Sequence, residues 1–357
     1  MDNTNQRKAL INGEIGLFLR GLIIGKVLTL MVIGGLLWWL LKPNLLSRNS
    51  VNSSNQNVNS LSNSASTFQT VTDVPNASFN YGGSTAWASI RQLVDSQIQS
   101  DRPELQLRYV NPVSGSPGSS SGIRMLLDGK IDFAQSSRPL TDEEQAMAKE
   151  RGFTLEQRQV GMDGVAVVVN PSLNVPGLTV DQLQQIYLGK ITNWNQVGGP
   201  NLAITPLSQR PEDADTVIFP SNSNLKGQAF GSNVQYVYST TEAVRQLSKT
   251  PGSVYYASAR SVLPQCSVKA LPLGSTSSQL IAPYREPLVS PEQCLRQRNQ
   301  LNTQAIKDGS YPLIANLFVI IKQNKGQEQQ IGDAYAKLLL TDEGQRAIEQ
   351  AGFVAVR

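Results

Sequence analysis

The apolar run GLIIGKVLTLMVIGGLLWWLL, Gly21 to Leu41, constrains this chain more than any other feature, and it contains one charge, Lys26. A helix needs about 20 apolar residues to cross a bilayer, so the run can span one if the Lys26 stem reaches back to the near interface. Arg7, Lys8, Arg20 and Lys26 precede its apolar centre, and only Lys42 and Arg48 follow. That asymmetry predicts a single-pass signal anchor (21–41) in the cytoplasmic (inner) membrane, with a cytoplasmic N-terminal segment (1–20) and everything later in the periplasm or cell exterior. Trp38 and Trp39 would then lie at the outer interface. A cleaved signal peptide competes with this reading, but no small-residue A-x-A pattern follows Leu41. A buried globular helix is the other alternative, and such helices rarely run so long uninterrupted.

From Ser47 to Ser66, fourteen of twenty residues are Ser or Asn. Apolar residues are too sparse there to offset the entropy of ordering, so residues 42–77 are expected to be a flexible linker. Charge placement adds a second constraint. Residues 1–50 hold six basic and two acidic groups, a surplus of four that equals the formal net charge of +4. The exported part is therefore formally neutral, which argues against a nucleic-acid partner. The chain has no histidine and two cysteines. That excludes Ser-His-Asp and Cys-His nucleophile pairs, imidazole metal sites and a four-cysteine zinc centre.

Helical and strand patterns alternate beyond the linker, as in an α/β fold, without an internal repeat. The sequence STAWASIRQLVDSQI places Ala86, Ile90, Leu93, Val94 and Ile98 on one helical face. Strands are expected at 105–110, 131–134, 165–170, 254–258 and 317–321. Helices are expected at 123–130, 141–152, 179–190, 327–340 and 342–351, with Thr141 and Glu144 in capping-box spacing. Cys266 and Cys294 are the only available pair in an oxidising compartment and are expected to form a disulfide, two reduced thiols being the alternative.

The segment SGSPGSSSG, Ser114 to Gly122, stands directly before a predicted helix, where unpaired N–H groups and hydroxyls can approach an oxyanion. It lacks the lysine of a P-loop and does not fit the dinucleotide fingerprint, so no nucleotide cofactor is expected. YGGST (Tyr81–Thr85) and QSSRP (Gln135–Pro139) are similar loops. Three such loops after strands point to one shared cleft. An S-x-x-K match, Ser223 to Lys226, has no downstream K-T-G, so a serine hydrolase is a minor alternative. Glu212, Asp213 and Asp215 could suggest a divalent cation, but a solvated loop is the commoner outcome, and no metal is expected.

The segments GGSTAW, GSSSGIRMLLDGKIDFAQSSRPLTDEE, LTVDQLQQIYLGKITNWNQVGG and LLLTDEGQRAIEQAGFVAVR together resemble the substrate-binding proteins of phosphate ABC transporters. The third is the most specific, and the resemblance spans about residues 78–357. It implies a two-lobed type II periplasmic-binding-protein (PBP-like) fold, with lobe 1 at about 78–163 and 265–357 and lobe 2 at about 164–264. It also implies a monomer that is not an enzyme, captures phosphate or a related oxyanion, and serves an ABC permease. The implied ligand residues are Ser84, Thr85, Ser119, Ser120, Ser137 and Arg138 in lobe 1, with Arg210, Asp215 and Thr216 in lobe 2. Ala214 and Asp215 stand where the family has serine and glycine. A carboxylate about 4 Å from a phosphate dianion is repelled by roughly 4 kcal/mol per unit charge unless one of them is protonated. An anchored scaffold or phosphate sensor with a degenerate site is therefore the alternative function.

Overall fold

Val165 to Val169 are at most 1% exposed, as a β-branched strand covered on both faces must be. They end the longest of the described strands. The computed structural model describes residues 66–211, 218–219, 228–290 and 292–357. The apolar run 21–41, the linker up to residue 65, Ala214, Asp215, Thr216, and the Ser223–Lys226 and Glu212–Asp215 groups lie outside those residues. Among the described residues no helix is long and apolar enough to cross a membrane.

The strands in chain order are β1 (Ala77–Gly83), β2 (Leu105–Tyr109), β3 (Phe133–Ser136), β4 (Thr154–Val169), β5 (Leu178–Thr179), β6 (Thr205–Ser208), β7 (Gln235–Tyr236), β8 (Ser253–Ser258), β9 (Lys269–Leu271), β10 (Leu273–Gly274) and β11 (Ile314–Gln323). The main sheet runs β2-β1-β3-β11-β4-β8-β6-β7, β9 pairs with β4, and β5 and β10 form a separate ladder. Strands β2, β1 and β3 are parallel, whereas β11 lies antiparallel to both β3 and β4.

The first helical stretch, α1, begins as a 3-10 turn at Thr85–Trp87, is α over Ala88–Ile90, π-wound over Arg91–Asp95 and α again over Ser96–Asp101. Then come α2 (Ser119–Leu127), α3 (Asp142–Glu150), α4 (Val180–Tyr187), α5 (Thr240–Leu247), α6 (Ala259–Val262), α7 (Thr303–Lys307), α8 (Gln327–Leu339) and α9 (Asp342–Gln350). Their starts follow from capping chemistry. Thr141 and Thr179 accept from the N–H groups of Glu144 and Gln182, and those side chains bond back to the cap N–H groups.

Two groups of cores divide the sheet. In the first half Phe79, Trp87, Phe133, Leu317 and Tyr335 are buried together, and a smaller cluster around Ile123, Leu126 and Ile320 lies apart from them. The second half is built on Val167, Tyr187, Trp194, Leu207 and Tyr255. Strand β4 belongs to both: Thr154–Gly164 pairs with β11, and Val165–Val169 pairs with β8. The chain therefore crosses between halves at Gly164–Val165. It returns near Leu313, whose carbonyl accepts from the Val165 N–H at 2.8 Å, while the Tyr311 hydroxyl bonds the Val165 carbonyl at 2.8 Å. Side chains from Val268 to Ala315 pack into the second core, although the sequence reading placed that stretch with lobe 1.

The body also begins earlier than residue 78. Phe68 is fully buried, and its N–H donates to Glu343 at 2.8 Å. Ser66 donates through its N–H to Asp342 at 2.7 Å, and Arg102 binds the carbonyls of Phe68 and Val71. A disulfide joins Cys266 and Cys294, with their Cα atoms 5.6 Å apart.

Candidate functional site

Two parallel strands and one helix end in the same place. Strand β1 finishes at Gly83 and β3 at Ser136, so the residues that follow, Ser84 and Ser137, emerge side by side at the carboxyl ends of neighbouring strands. Helix α2 starts beside them with Ser119. The Ser137 hydroxyl lies 2.9 Å from that of Ser84 and 3.2 Å from that of Ser119, and the Ser137 N–H donates to Ser119 Oγ at 3.0 Å. All three serines are at most 4% exposed. Buried hydroxyls rotate to donate or accept, so this cluster can turn its O–H groups toward an anion.

Glycine makes the approach possible. Gly83 has φ +122°, and a Cβ on it would sit 2.1 Å from the Gln135 carbonyl oxygen. A Cβ on Gly122 would sit 2.3 Å from Gly83 Cα. Helix α2 is thereby pressed against the end of β1, with its positive dipole end beside the serines. The Ser121 hydroxyl takes up the Gly118 N–H at 2.9 Å.

Thr85 is half-buried and opens α1. It lines a cavity of about 370 Å³ together with Pro117 from the first half and Gln209, Tyr238, Ser239 and Thr240 from the second. Helix α5 also presents its N-terminus there, and the Ser239 side chain caps it by accepting from the Glu242 N–H. Bonds cross the cleft beside this cavity: the Tyr238 hydroxyl donates to the Gly115 carbonyl at 3.1 Å, and Ser120 Oγ donates to the Pro211 carbonyl at 3.3 Å. At the end of β6, Ser208 Oγ lies 3.0 Å from the Tyr256 hydroxyl, and burial pushes that phenol up to about 12.

The two arginines behave differently. Arg138 is 5% exposed and makes a two-pronged ion pair with Glu144, at 2.6 and 3.0 Å. Its Nη2, which also donates to Glu144, donates to Ser120 Oγ at 2.8 Å, so its link to the cradle runs through Ser120. Arg210 is exposed, with its guanidinium carbon 5.1 Å from the Tyr236 ring centroid. It stands between Gln209, which lines the shared cavity, and Pro211, which bonds Ser120.

The structure thus brings together Ser84, Ser119 and Ser137, with Thr85 and Ser120 at the margin, and places Arg210 on the facing half. Asp215 and Thr216 lie outside the described residues. Gln209, Tyr238, Ser239 and Thr240 escaped the sequence reading. The Ser239-Thr240-Thr241-Glu242 spacing was the one available sign of a helix start there. Among the described residues no cluster of His, Cys, Asp and Glu could hold a metal ion.

Comparison with known proteins agrees with this fold. The model of the PBP superfamily domain matches residues 65–343. The phosphate-binding protein PstS of Staphylococcus haemolyticus is 26% identical over 283 residues, which cover 76% of this chain and 79% of the relative. Its Staphylococcus epidermidis counterpart is 24% identical over 280 residues, covering 76% and 77%. Among solved structures, a putative phosphate ABC transporter substrate-binding protein with bound phosphate from Clostridium perfringens superposes with a TM-score of 0.60 at 19% identity. That match covers 79% of this chain and 100% of the other. An ABC-type phosphate transport receptor from Vibrio cholerae gives 0.55 at 22% identity, covering 78% and 100%. At such identities the superpositions establish the two-lobed fold.

Proposed function

The chain belongs to the PBP superfamily, and from that membership we propose that it is an extracytoplasmic solute-binding protein which closes two lobes on inorganic phosphate or a related oxyanion. It delivers that ligand to an ABC permease and has no catalytic role. The observation that carries the reading is the convergence of the Ser84, Ser119 and Ser137 hydroxyls beside the start of α2. An anion there meets O–H and N–H donors from the first lobe, and Arg210 approaches from the second. Phosphate is preferred among oxyanions because the curated relatives are phosphate-binding proteins. The run 21–41 would hold the body at the membrane, and residues 42–65 would give it reach. As a random coil, that stretch of linker spans roughly 25–30 Å on average.

Calorimetry of the full chain with phosphate, sulfate and a divalent cation tests the reading. Phosphate should give the tightest binding, and no heat from any oxyanion at millimolar concentration would defeat it. Ala214 and Asp215 favour a second reading, an anchored sensor or scaffold with a weakened site. Binding that emerges only after Ala214→Ser with Asp215→Gly would establish that second reading in place of the first.

A further inference from the structure

Directly beneath the serine cradle lies a buried polar chain with opposite charges at its two ends. Arg91, in the π-wound part of α1, donates through Nη1 to the Ser84 carbonyl at 2.9 Å and to Gln135 Oε1 at 3.0 Å. Its guanidinium carbon lies 4.0 Å from the Tyr109 ring centroid, and the Tyr109 hydroxyl donates to the Gly83 carbonyl at 2.9 Å. Gln135 Nε2 donates to the Tyr335 hydroxyl at 2.8 Å, and Tyr335 donates to Asp95 at 2.7 Å. The other Asp95 oxygen accepts from the Tyr81 hydroxyl at 2.6 Å. Asp95 is 3% exposed.

Every bond from Arg91 to Asp95 points the same way, so each polarises the next. The cation stands at the cradle end and the carboxylate at the far end. Both acceptors of Arg91 Nη1 are neutral oxygens, whereas the nearby Arg138 has its charge matched by Glu144. The Ser84 carbonyl, which also accepts from the Trp87 N–H at 3.3 Å, presents a partial negative charge beside the bound anion. Arg91 takes up that carbonyl while leaving the Ser84 hydroxyl to the cluster. The neighbouring Ser84 N–H is fixed on the Gln135 carbonyl at 2.8 Å.

We propose that Arg91 is a positioning residue of the anion site, setting the orientation of the Ser84 peptide and supplying a first-lobe positive charge that Asp95 offsets only from the remote end of the chain. This rests on the oxyanion-binding reading given above. Calorimetry of the full-length chain with inorganic phosphate, together with thermal melts, compares wild type, Arg91→Met, Arg91→Lys and Asp95→Asn. R91M should weaken phosphate binding by about ten-fold or more, as loss of one nearby unit charge in a semi-buried site implies. R91K, which keeps the charge and can still reach the Ser84 carbonyl, should recover most of that loss. D95N should bind as tightly as wild type or tighter, since it removes a negative charge and leaves Arg91 in place.

Wild-type affinity in R91M overturns the proposal, as does loss of affinity in D95N equal to that in R91M, which would make the chain a scaffold only. If R91M does not fold, D95N still decides it: binding as tight as wild type or tighter supports the proposal, and loss of affinity there overturns it. Wild type that binds no phosphate defeats the underlying reading, and the proposal with it, a result distinct from binding that is merely indifferent to Arg91.

Discussion

Asp163 is fully buried where β4 leaves the first half. Its carboxylate accepts from the Ser258 hydroxyl and from the Gly164 N–H at 2.8 Å, and Arg260 approaches it from α6. Burial pushes its carboxyl up to about 7, against the opposing pull of those hydrogen bonds and of the Arg260 charge. Tyr311, the other titratable group facing it, is raised by burial and by the Asp163 charge. The folded chain therefore holds this proton more tightly than the unfolded chain, where the ordinary value of 3.8 applies. For an acid raised on folding, the stabilisation is complete below the unfolded value and is lost as pH rises to the folded one. Melting temperature should thus decline between about pH 4 and about pH 7, and Asp163→Asn should flatten part of that decline. Asp95, raised to about 6 by burial, contributes in the same direction. Melts over a pH series with identical slopes in the two proteins would contradict the assignment.

At the scale of elements, α3 and the loop before it depend on one ion pair. Glu144 caps α3 by accepting from the Thr141 N–H at 2.9 Å and also neutralises Arg138. Glu144→Ala would leave a buried guanidinium unmatched, a change that usually costs about 3–5 kcal/mol. Urea unfolding should show that loss. A cost under about 1 kcal/mol would mean that Arg138 finds water instead, as exposed pairs do. Much of the element pattern was readable, because Ile90, Val94 and Ile98 mark one helical face and VAVVV can only be a covered strand. The start of α2 was not. Ser119, Ser120 and Ser121 read as loop because serine competes with the helix for backbone bonds, yet they form the first turn once Ser121 bonds Gly118. The first two-thirds of β4 were hidden by polar residues such as Glu156, Gln157 and Arg158. The three buried serines were found through family motifs. Tyr238 and Gln209 were missed because chain folding, not local pattern, brings them to the cleft. Arg91 was missed for the same reason.

For the whole molecule, the β4 and β11 crossings set the motion available. Two strands joining two cores favour a hinge, and a ligand touching both lobes favours the closed state by its differential affinity. Phosphate at about a hundred times its Kd should stabilise the fold by about 2.7 kcal/mol, visible as a raised melting temperature. An equal shift with chloride at the same ionic strength would exclude specific capture. A different consequence follows from the fastening of Ser66 and Phe68 to Asp342 and Glu343. Tension applied to the chain upstream is borne by the start of α9 and, through Arg102, by the end of α1. That fastening lies among side chains of the first core, and none of its residues lines the cavity shared by the two halves.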